Sequence, residues 1–371
     1  MARLGDVCEI VSGTTPKSNV PEYWDGEINW VTPAELDDDS RIVYESQRKI
    51  TEQAVKDSSL KSFPAGTVLL SSRAPIGKVA IAGVEMYCNQ GFKNLVCSDE
   101  IYNKYLFWFL KGKTDFLNSL GRGATFKEIS KSIVENIEIP LPLIPEQKHI
   151  ADILDKISDL ISLRKQQLAK LDELVKVRFV EMFGDRFSND RKWDIKLLAD
   201  VADFYNGKAH EQVIDTEGKY ILVTSKCIAS DFAEYRTTNA CLFPLHANDI
   251  VMVMSDVPNG RAIAKCELIG QDDLYTLNQR ICCFRNYNMN PYFMCHLLNR
   301  HEYFLRFDDG DSQTNLRKNE ILNCMLIVPP RYLQDEYADF VIQTARKKLT
   351  IQQNLDKLEE LEKALMQEYF G

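Results

Sequence analysis

Two long segments of the chain carry an apolar side chain at every third or fourth position and contain neither glycine nor proline. They are residues 146–183 and 331–370, and a glycine follows each of them, Gly184 or Gly371. Apolar residues at this spacing line one face of an α-helix, and glycine favours the position just beyond a helix end. Pro145 precedes the first segment, and proline suits the first turn of a helix. The pattern therefore predicts two long amphipathic helices.

The two predicted helices are copies of one another at an offset of 187 residues. The identities include Gln147 with Gln334, Ala151 with Ala338, Gln166 with Gln353, Leu168 with Leu355, Leu171 with Leu358, and Phe183 with Phe370. The regions before the helices repeat as well, although their offset drifts as loops differ in length. Their matches include Leu4-Gly5-Asp6-Val7 with Leu198-Ala199-Asp200-Val201, Gly13 with Gly207, Val31-Thr32 with Val223-Thr224, and Asn89-Gln90 with Asn278-Gln279. The chain is therefore a globule and a long helix, followed by a second copy of both.

Inside the globules, short apolar runs predict strands at Val68–Ser71, Val79–Ile81 and Val251–Met254. Residues 102–120 and 291–306 have the pattern of amphipathic helices that are rich in aromatic side chains. We therefore expect a mixed α/β (α+β) fold. The expected domains are globules at 1–144 and 185–330 and long helices at 145–184 and 331–371.

A helix of about 38 residues is ~57 Å long, which exceeds the diameter of a globule of this size. Its sustained apolar face argues against a solvated single helix and favours a partner helix. Because the repeat suggests a pseudo-twofold arrangement, we expect the two helices to pair as an antiparallel coiled coil. Parallel pairing is the alternative. Two similar but non-identical globules joined by a spacer suit a ligand with two different sites, such as double-stranded DNA.

Composition indicates a globular protein, with 45% apolar and 27% charged residues. No apolar run approaches the roughly 18 residues that cross a membrane, and the N-terminus has no apolar signal-peptide core. The ten cysteines include no C-x-x-C pair, so we expect buried thiols in a reducing cytosol rather than a metal site. We expect a soluble cytoplasmic protein without a cofactor.

The net charge of −9 is unusual for a DNA-binding protein, because phosphates attract lysine and arginine. Residues 1–144 hold 16 basic and 19 acidic side chains, and residues 188–330 hold 15 and 19. Neither globule is a general polyanion binder. DNA binding would therefore need clustered basic residues or a partner that supplies positive charge.

Sequence motifs for catalysis are missing. The chain has no Walker A loop, no G-x-G-x-x-G after a strand, no metalloprotease histidine pair, and no Asn/Asp-Pro-Pro-Tyr motif of amino-methyltransferases. We therefore expect a binding protein rather than an enzyme.

The side chains that remain as candidates are those that read DNA: arginine and lysine for guanine and phosphate, asparagine and glutamine for adenine. In the first globule they are Lys17, Arg73, Lys78, Asn89, Gln90, Lys93, Arg122, Thr125 and Lys127. In the second globule they are Lys208, Lys226, Arg261, Asn278, Gln279, Arg280, Gln313, Asn315, Arg317 and Lys318. Simple solvation is the alternative for each of them, and the two Asn-Gln pairs could instead cap strand ends inside the globule.

This organisation resembles that of the specificity subunits of type I restriction–modification enzymes. The resemblance spans essentially the whole chain. Its motifs are Leu4-Gly5-Asp6-Val7 to Gly13, the Asn-Gln pairs, Ile139-Pro140-Leu141-Pro142 through Glu146-Gln147, and Glu181-Met182-Phe183-Gly184. The second copy departs from the pattern at Leu333-Gln334, where the Glu-Gln pair is absent.

The resemblance implies that each globule reads one half of a split site in double-stranded DNA. It also implies that the helices set the spacing and dock two methyltransferase (modification) subunits. ATP-dependent restriction subunits would join that core, and S-adenosylmethionine, ATP and magnesium would belong to these partners. Two alternatives remain: a scaffold that does not bind DNA, and the specificity half of a fused restriction–methylation enzyme. The first globule begins within a few residues of Met1, which argues against the fused enzyme.

Overall fold

The computed structural model describes residues 1–37, 40–73, 75–121, 127–210, 212–257, 262–308, 310 and 312–371. The chain divides into two compact units. Unit 1 consists of Met1–Lys165 and Gln353–Gly371, and unit 2 of Gln166–Gln352. Each unit therefore contains one globule and a part of each long helix.

Unit 1 contains ten short strands, five short α-helices and two 3-10 helices, Pro21–Tyr23 and Pro33–Glu35, in its described part. The strands are β1 (Ala2–Arg3), β2 (Cys8–Ser12), β3 (Trp24–Val31), β4 (Ile42–Val43), β5 (Lys49–Ile50), β6 (Val68–Leu70), β7 (Val79–Ala82), β8 (Tyr87–Cys88), β9 (Lys93–Cys97) and β10 (Glu138–Ile139). The helices are α1 (Leu4–Val7), α2 (Glu52–Asp57), α3 (Asn103–Gly112), α4 (Thr114–Leu120) and α5 (Lys131–Glu135). The long helix α6 (Ile144–Phe183) follows them.

The main sheet of unit 1 has the strand order β2-β9-β6-β7-β4, and a second sheet has the order β5-β3-β8. Alternation along β6 gives the main sheet two buried faces. Val68 and Leu70 pack into the cluster that contains α3, and Leu69 packs into a separate cluster with Phe63 and Phe92. The main sheet is therefore covered on both sides, with α3 on one of them.

Unit 2 repeats this plan with eleven strands and five short helices in its described part. The strands are β11 (Asp194–Leu197), β12 (Asp203–Asn206), β13 (Tyr220–Val223), β14 (Arg236–Thr238), β15 (Ile250–Val253), β16 (Ser255–Asp256), β17 (Cys266–Leu268), β18 (Tyr275–Leu277), β19 (Ile281–Arg285), β20 (Thr314–Asn315) and β21 (Met325–Val328). The helices are α7 (Leu198–Val201), α8 (Ser225–Ala229), α9 (Pro291–Leu298), α10 (Glu302–Leu305) and α11 (Lys318–Leu322), and the long helix α12 (Arg331–Phe370) follows.

The main sheet of unit 2 has the order β12-β19-β15-β17, and a second sheet has the order β14-β13-β18. Ile250 and Met252 of β15 pack into one apolar cluster, and Val251 and Val253 into another. The mixed α/β fold and the internal repeat are therefore confirmed, as are the strands predicted around Val68, Val79 and Val251 and the two long helices.

Each long helix begins with a buried glutamine that holds it to its own globule. The Gln147 side chain accepts a hydrogen bond from the backbone N–H of Tyr102 (2.8 Å) and donates to the carbonyls of Glu100 (3.0 Å) and Pro142 (2.8 Å). In unit 2 the matching residue, Gln334, accepts from Asn290 N–H and donates to the Pro329 carbonyl, both at 2.8 Å. The identity of these two positions in the repeat thus reflects one shared anchoring function.

Each long helix ends on a buried phenylalanine. In unit 1, the ring of Phe370 lies 5.2 Å from that of Tyr105. In unit 2, the ring of Phe183 lies 4.7 Å from that of Phe293 and 5.6 Å from that of Tyr337. Gly184 follows with a φ of +75°, the left-handed conformation that ends a helix.

The helices predicted at 102–120 and 291–306 are each two shorter helices, so their predicted continuity is wrong. In unit 2, α9 ends before Arg300, whose φ of +48° is incompatible with a continuing helix. In unit 1, α3 and α4 are separated by Lys113. All six residues from Tyr105 to Leu110 are buried, so α3 is a core helix and not an amphipathic one.

Candidate nucleic-acid interface

In each unit, a pair of parallel strands ends at equivalent residues of the repeat. β3 runs parallel to β8, and β13 runs parallel to β18. The backbone N–H of Asn89 donates to the carbonyl of Val31, and that of Asn278 to the carbonyl of Val223, both at 3.1 Å. Polar residues that follow the carboxyl ends of parallel strands share one edge of a sheet, which is a common position for a ligand site.

The asparagine of each Asn-Gln pair shapes the turn that follows the second strand. Asn89 Oδ1 accepts the backbone N–H of Gly91 at 2.9 Å, and Asn278 Oδ1 accepts that of Arg280 at 3.2 Å. Both asparagines are partly or fully buried, whereas the glutamine that follows each of them is exposed. The geometry of the asparagine side chains thus fits the capping alternative, and the glutamines face solvent.

A glycine that directly follows β2 or β12 packs against each turn. A Cβ atom on Gly13 would lie 1.8 Å from the carbonyl oxygen of Asn89, and one on Gly207 would lie 2.1 Å from that of Asn278. Both distances are far below van der Waals contact. The match of these two glycines in the repeat therefore follows from the same close approach of backbone to backbone.

In unit 1, the turn borders an open cleft of about 600 Å³, whose lining includes Thr32, Arg73, Gln90 and Glu128. The Arg73 guanidinium lies 3.0 Å from the Glu128 carboxylate, and the Lys93 ammonium lies 3.2 Å from it. Burial alone would raise the pKa of Glu128, but the hydrogen bonds from the two cations outweigh it and lower that pKa. The cleft therefore contains a charged network in which Glu128 is ionised.

Two of the candidate lysines in unit 1 direct their ammonium groups into the protein. Lys93 is 7% exposed, and its ammonium lies 3.5 Å from the Ser72 hydroxyl as well as beside Glu128. The Lys78 ammonium donates to the carbonyls of Pro33 (3.3 Å) and Leu36. These contacts fix the floor of the cleft and the turn at residues 33–36 that forms one wall.

Other candidates in unit 1 are exposed. Gln90 is hydrogen-bonded to the Thr15 hydroxyl. Lys17 is exposed, and its carbonyl accepts the indole N–H of Trp24 at 3.3 Å. Lys127 is also exposed. Three further candidates, Arg122, Thr125 and Arg261, lie outside the described residues.

In unit 2, the equivalent turn borders an open cleft of about 710 Å³, and its lining includes Lys226, Tyr235, Arg236, Asn278 and Arg280. The repeat places Thr224 of this cleft where Thr32 lies in the first. The Lys226 ammonium pairs with Glu234 at 2.5 Å, and both side chains are largely exposed. Three cations thus border this cleft with one neighbouring carboxylate, so it is more basic than the first.

The remaining candidates of unit 2 lie on the adjoining turns. Lys208 is exposed, and its backbone pairs with that of Asn278. Gln313 donates to the Ser255 hydroxyl at 2.8 Å, and Asn315 pairs with Ser255 between β20 and β16. Gln279, Arg317 and Lys318 are exposed, and the Lys318 ammonium lies 5.4 Å from the centre of the Phe204 ring.

Several cleft residues are absent from the set that the sequence suggested, among them Glu128, Tyr235 and Arg236. Tyr235 is 56% exposed and directly precedes β14. Strand pairing brings these residues to the clefts. For two of them the sequence offers one signal, the adjacent aromatic and arginine residues Tyr235-Arg236 beside a short strand.

Neither a metal site nor a membrane-spanning helix occurs in the part of the chain that the structure describes. No group of three or more His, Cys, Asp or Glu side chains there could hold a metal ion. None of the described helices has both the length and the apolar character needed to cross a membrane. All ten cysteines are free thiols, and burial raises the pKa of several, that of Cys227 to about 11.

Comparisons with known proteins agree on one family. Residues 1–173 and 190–363 both match the family model of the type I restriction modification DNA specificity domain. The type I restriction enzyme MjaIX specificity subunit of Methanocaldococcus jannaschii is 29% identical over 394 residues, covering 98% of this chain and 90% of that protein. The EcoR124I/EcoR124II specificity subunit of Escherichia coli is 31% identical over 178 residues, covering 46% of this chain and 44% of that protein.

The fold agrees as well. The crystal structure of the type I restriction–modification S subunit from M. genitalium matches with a TM-score of 0.61 and 15% identity, covering 100% of this chain and 95% of that one. A second structure, from work on the assembly and conformational transition of a type I system, matches with a TM-score of 0.63 and 17% identity, covering 100% and 96%. With both halves of the sequence matched in order, the chain belongs to the family of type I restriction–modification DNA specificity subunits, and each of its two globules is a recognition domain.

Proposed function

We propose that the chain selects the DNA sequence on which a type I restriction–modification complex acts, and that its globules, residues 1–144 and 185–330, each read one half of a bipartite site. The observation that carries this proposal is the pair of clefts. Both are built from the same turn after parallel strands, yet their charged linings differ: Arg73 and Glu128 in one, and Lys226, Glu234 and Arg280 in the other. A common frame with different polar linings suits two different base sequences.

Within the clefts, exposed side chains are the proposed base readers. In unit 1 the exposed reader is Gln90, with Lys17 and Lys127 beside it, and the partly exposed Arg73 would reach DNA from its ion pair with Glu128. In unit 2 they are Lys226, Gln279 and Arg280, with Lys208, Gln313, Asn315, Arg317 and Lys318 on the adjoining turns. Asn89, Asn278, Lys78 and Lys93 would position the turns and walls, because their polar groups are engaged within the protein.

We further propose that the helices at 145–184 and 331–371 pair as an antiparallel coiled coil that sets the spacing of the half-sites. The ion pairs support this. In unit 2, Arg178 pairs with Glu336 (2.9 Å) and Asp172 pairs with Lys348. The residue numbers therefore fall along one helix as they rise along the other, which is antiparallel pairing. In unit 1, Lys165 pairs with Glu359 at 3.2 Å, which continues the series.

The expected partners are double-stranded DNA, two methyltransferase subunits and ATP-dependent restriction subunits. Several large apolar side chains on the long helices are exposed, among them Leu163, Val177, Val180 and Leu349 at 53–61%. Such side chains suit a protein partner better than water. The chain itself would be non-catalytic and cytoplasmic, with S-adenosylmethionine, ATP and magnesium bound by its partners. The net charge of −9 then means that the partners supply much of the attraction to DNA.

Co-expression with a cognate adenine methyltransferase tests the proposal. Mapping of methylated adenines should reveal one bipartite sequence, and replacing residues 1–144 with those of another family member should change only one of its halves. The matched exchange of residues 185–330 should change only the other half. The lone chain should bind DNA weakly and with little selectivity in a gel-shift assay. Assembly with the methyltransferase without any sequence-specific methylation would indicate a scaffold and overturn the proposal.

A further inference from the structure

An arginine lies in or directly before the edge strand of each of the two smaller sheets, at equivalent positions. In unit 2, Arg236 of β14 lies opposite Leu222 of β13. In unit 1, Lys49 of β5 lies opposite Asn29 of β3. Arg48 directly precedes β5, so extending this register by one residue places Arg48 opposite Trp30. Trp30 and Leu222 are themselves equivalent, because each directly precedes the valine that matches in the repeat, Val31 or Val223. Arg48 and Arg236 therefore occupy the same place in the two globules.

Both guanidinium groups are available for a ligand. Arg48 and Arg236 are exposed, and neither forms an ion pair within the described part of the chain, unlike Arg73 and Arg285. The Arg48 guanidinium stacks over the Trp24 ring at 3.8 Å, which orients the planar group without neutralising its charge. Arg236 lines the second cleft directly.

Arg48 also stands beside the first cleft. The Glu35 carboxylate accepts the backbone N–H of Thr32, which lines that cleft, at 2.7 Å. Its other oxygen accepts the backbone N–H of Gln47 at 2.6 Å. Glu35 thus ties the strand end that carries Arg48 to the cleft wall.

The other charged residues of the two linings differ, with Arg73 and Glu128 in one and Lys226, Glu234 and Arg280 in the other, and this contrast assigns the function of the shared arginine. Charged residues that read bases should differ between globules that read different sequences. A charged residue that both globules keep at one position suits a feature common to all DNA, which is the phosphate backbone. Resting on the proposed function, we propose that Arg48 and Arg236 are matched phosphate-contacting residues, one for each globule, which hold the DNA in register while the differing cleft residues read its bases.

The test uses the full chain assembled with its methyltransferase and the variants Arg48→Gln, Arg236→Gln and the double variant. Dissociation constants are measured for the cognate duplex and a scrambled duplex between about 0.05 and 0.3 M salt, and the methylated sequence is mapped. Affinity scales with salt concentration to a power of about −0.9 per phosphate contact, so one contact contributes about fivefold at ~0.15 M salt. Each single variant should therefore lose about fivefold for both duplexes, and its salt slope should fall by about 0.9.

Lys131→Gln on α5 and Lys196→Gln on β11 are matched controls, because each removes one exposed positive charge from the same globule away from the edge strand. They should leave the slope unchanged, and the methylated sequence should stay the same in all variants. A loss confined to the cognate duplex, or a changed half-site, would make the arginine a base reader and overturn the proposal, as would an unchanged slope. Absence of sequence-specific binding by the wild-type complex would instead overturn the proposed function itself, and this proposal with it.

Discussion

The buried glutamines at the start of the long helices allow a prediction whose magnitude follows from the hydrogen bonds. Gln147 is 0% and Gln334 3% exposed. Replacing Gln147 by leucine removes three hydrogen bonds and leaves the Tyr102 N–H and two carbonyls without that partner. Replacing Gln334 by leucine removes two, from the Asn290 N–H and to the Pro329 carbonyl.

A buried polar group left unsatisfied costs about 1–3 kcal/mol, and carbonyls with a second lone pair lie at the lower end. Gln147→Leu should therefore lower the free energy of unfolding by about 3–5 kcal/mol and Gln334→Leu by about 2–4 kcal/mol. Glutamine and leucine have similar helix propensities, so the helix itself contributes little to the difference. The first variant should mainly affect unit 1 and the second unit 2.

Denaturant unfolding measures the totals, and hydrogen exchange followed by mass spectrometry assigns each loss to a unit. Gln166→Leu and Gln353→Leu are matched controls, because both glutamines are exposed and occupy equivalent positions of the same helices. Each control should change stability by less than about 0.5 kcal/mol. If Gln147→Leu were as mild as Gln166→Leu, the buried hydrogen bonds would not anchor the helix, and the reasoning would be refuted.

Three further predictions concern recognition, spacing and pH. Arg280→Gln should change recognition of the second half-site only, and Gln90→Ala that of the first only. Each variant should lose about 1–3 kcal/mol of binding free energy at one base pair, measured by binding to duplexes with single base-pair substitutions. A uniform loss across sequences would contradict this. Inserting four residues near both Leu168 and Leu355 lengthens each helix by ~6 Å. Methylation mapping should then show a longer spacer between two unchanged half-sites. An unchanged spacer with retained activity would contradict the proposal that the helices set the spacing. Burial and then the neighbouring Asp231 raise the pKa of Glu267 from its usual 4.5 to about 7. A carboxyl whose pKa is raised by folding stabilises the protein below its unfolded pKa, and this stability is lost as pH rises towards 7. Glu267→Gln should remove that decline from the unfolding free energy measured between about pH 4.5 and 7, and an unaltered decline would assign it to another group.

The local pattern of apolar residues in the sequence was sufficient to predict the long helices, and the identities between its two halves were sufficient to predict the repeat. Both helices have uninterrupted apolar spacing without glycine or proline, so their existence depends on interactions between residues three and four apart. The pairs Gln147 and Gln334, and Phe183 and Phe370, were visible as identities at one offset. Their reason is tertiary, since each glutamine binds backbone groups about 45 residues away.

Tertiary structure alone decided which candidate side chains face the clefts. Lys93 sits on a strand whose alternation directs its ammonium to Glu128 inside the protein, and Lys78 is held by two carbonyls, although both belong to polar loops in the sequence. The equivalence of Arg48 and Arg236 was hidden for a different reason. The offset between the copies is 192 residues at Val31 and Val223 but 188 at the two arginines, because the intervening loops differ in length. Only hydrogen-bonded strand register restores their alignment, since it is set by contacts between residues distant in sequence.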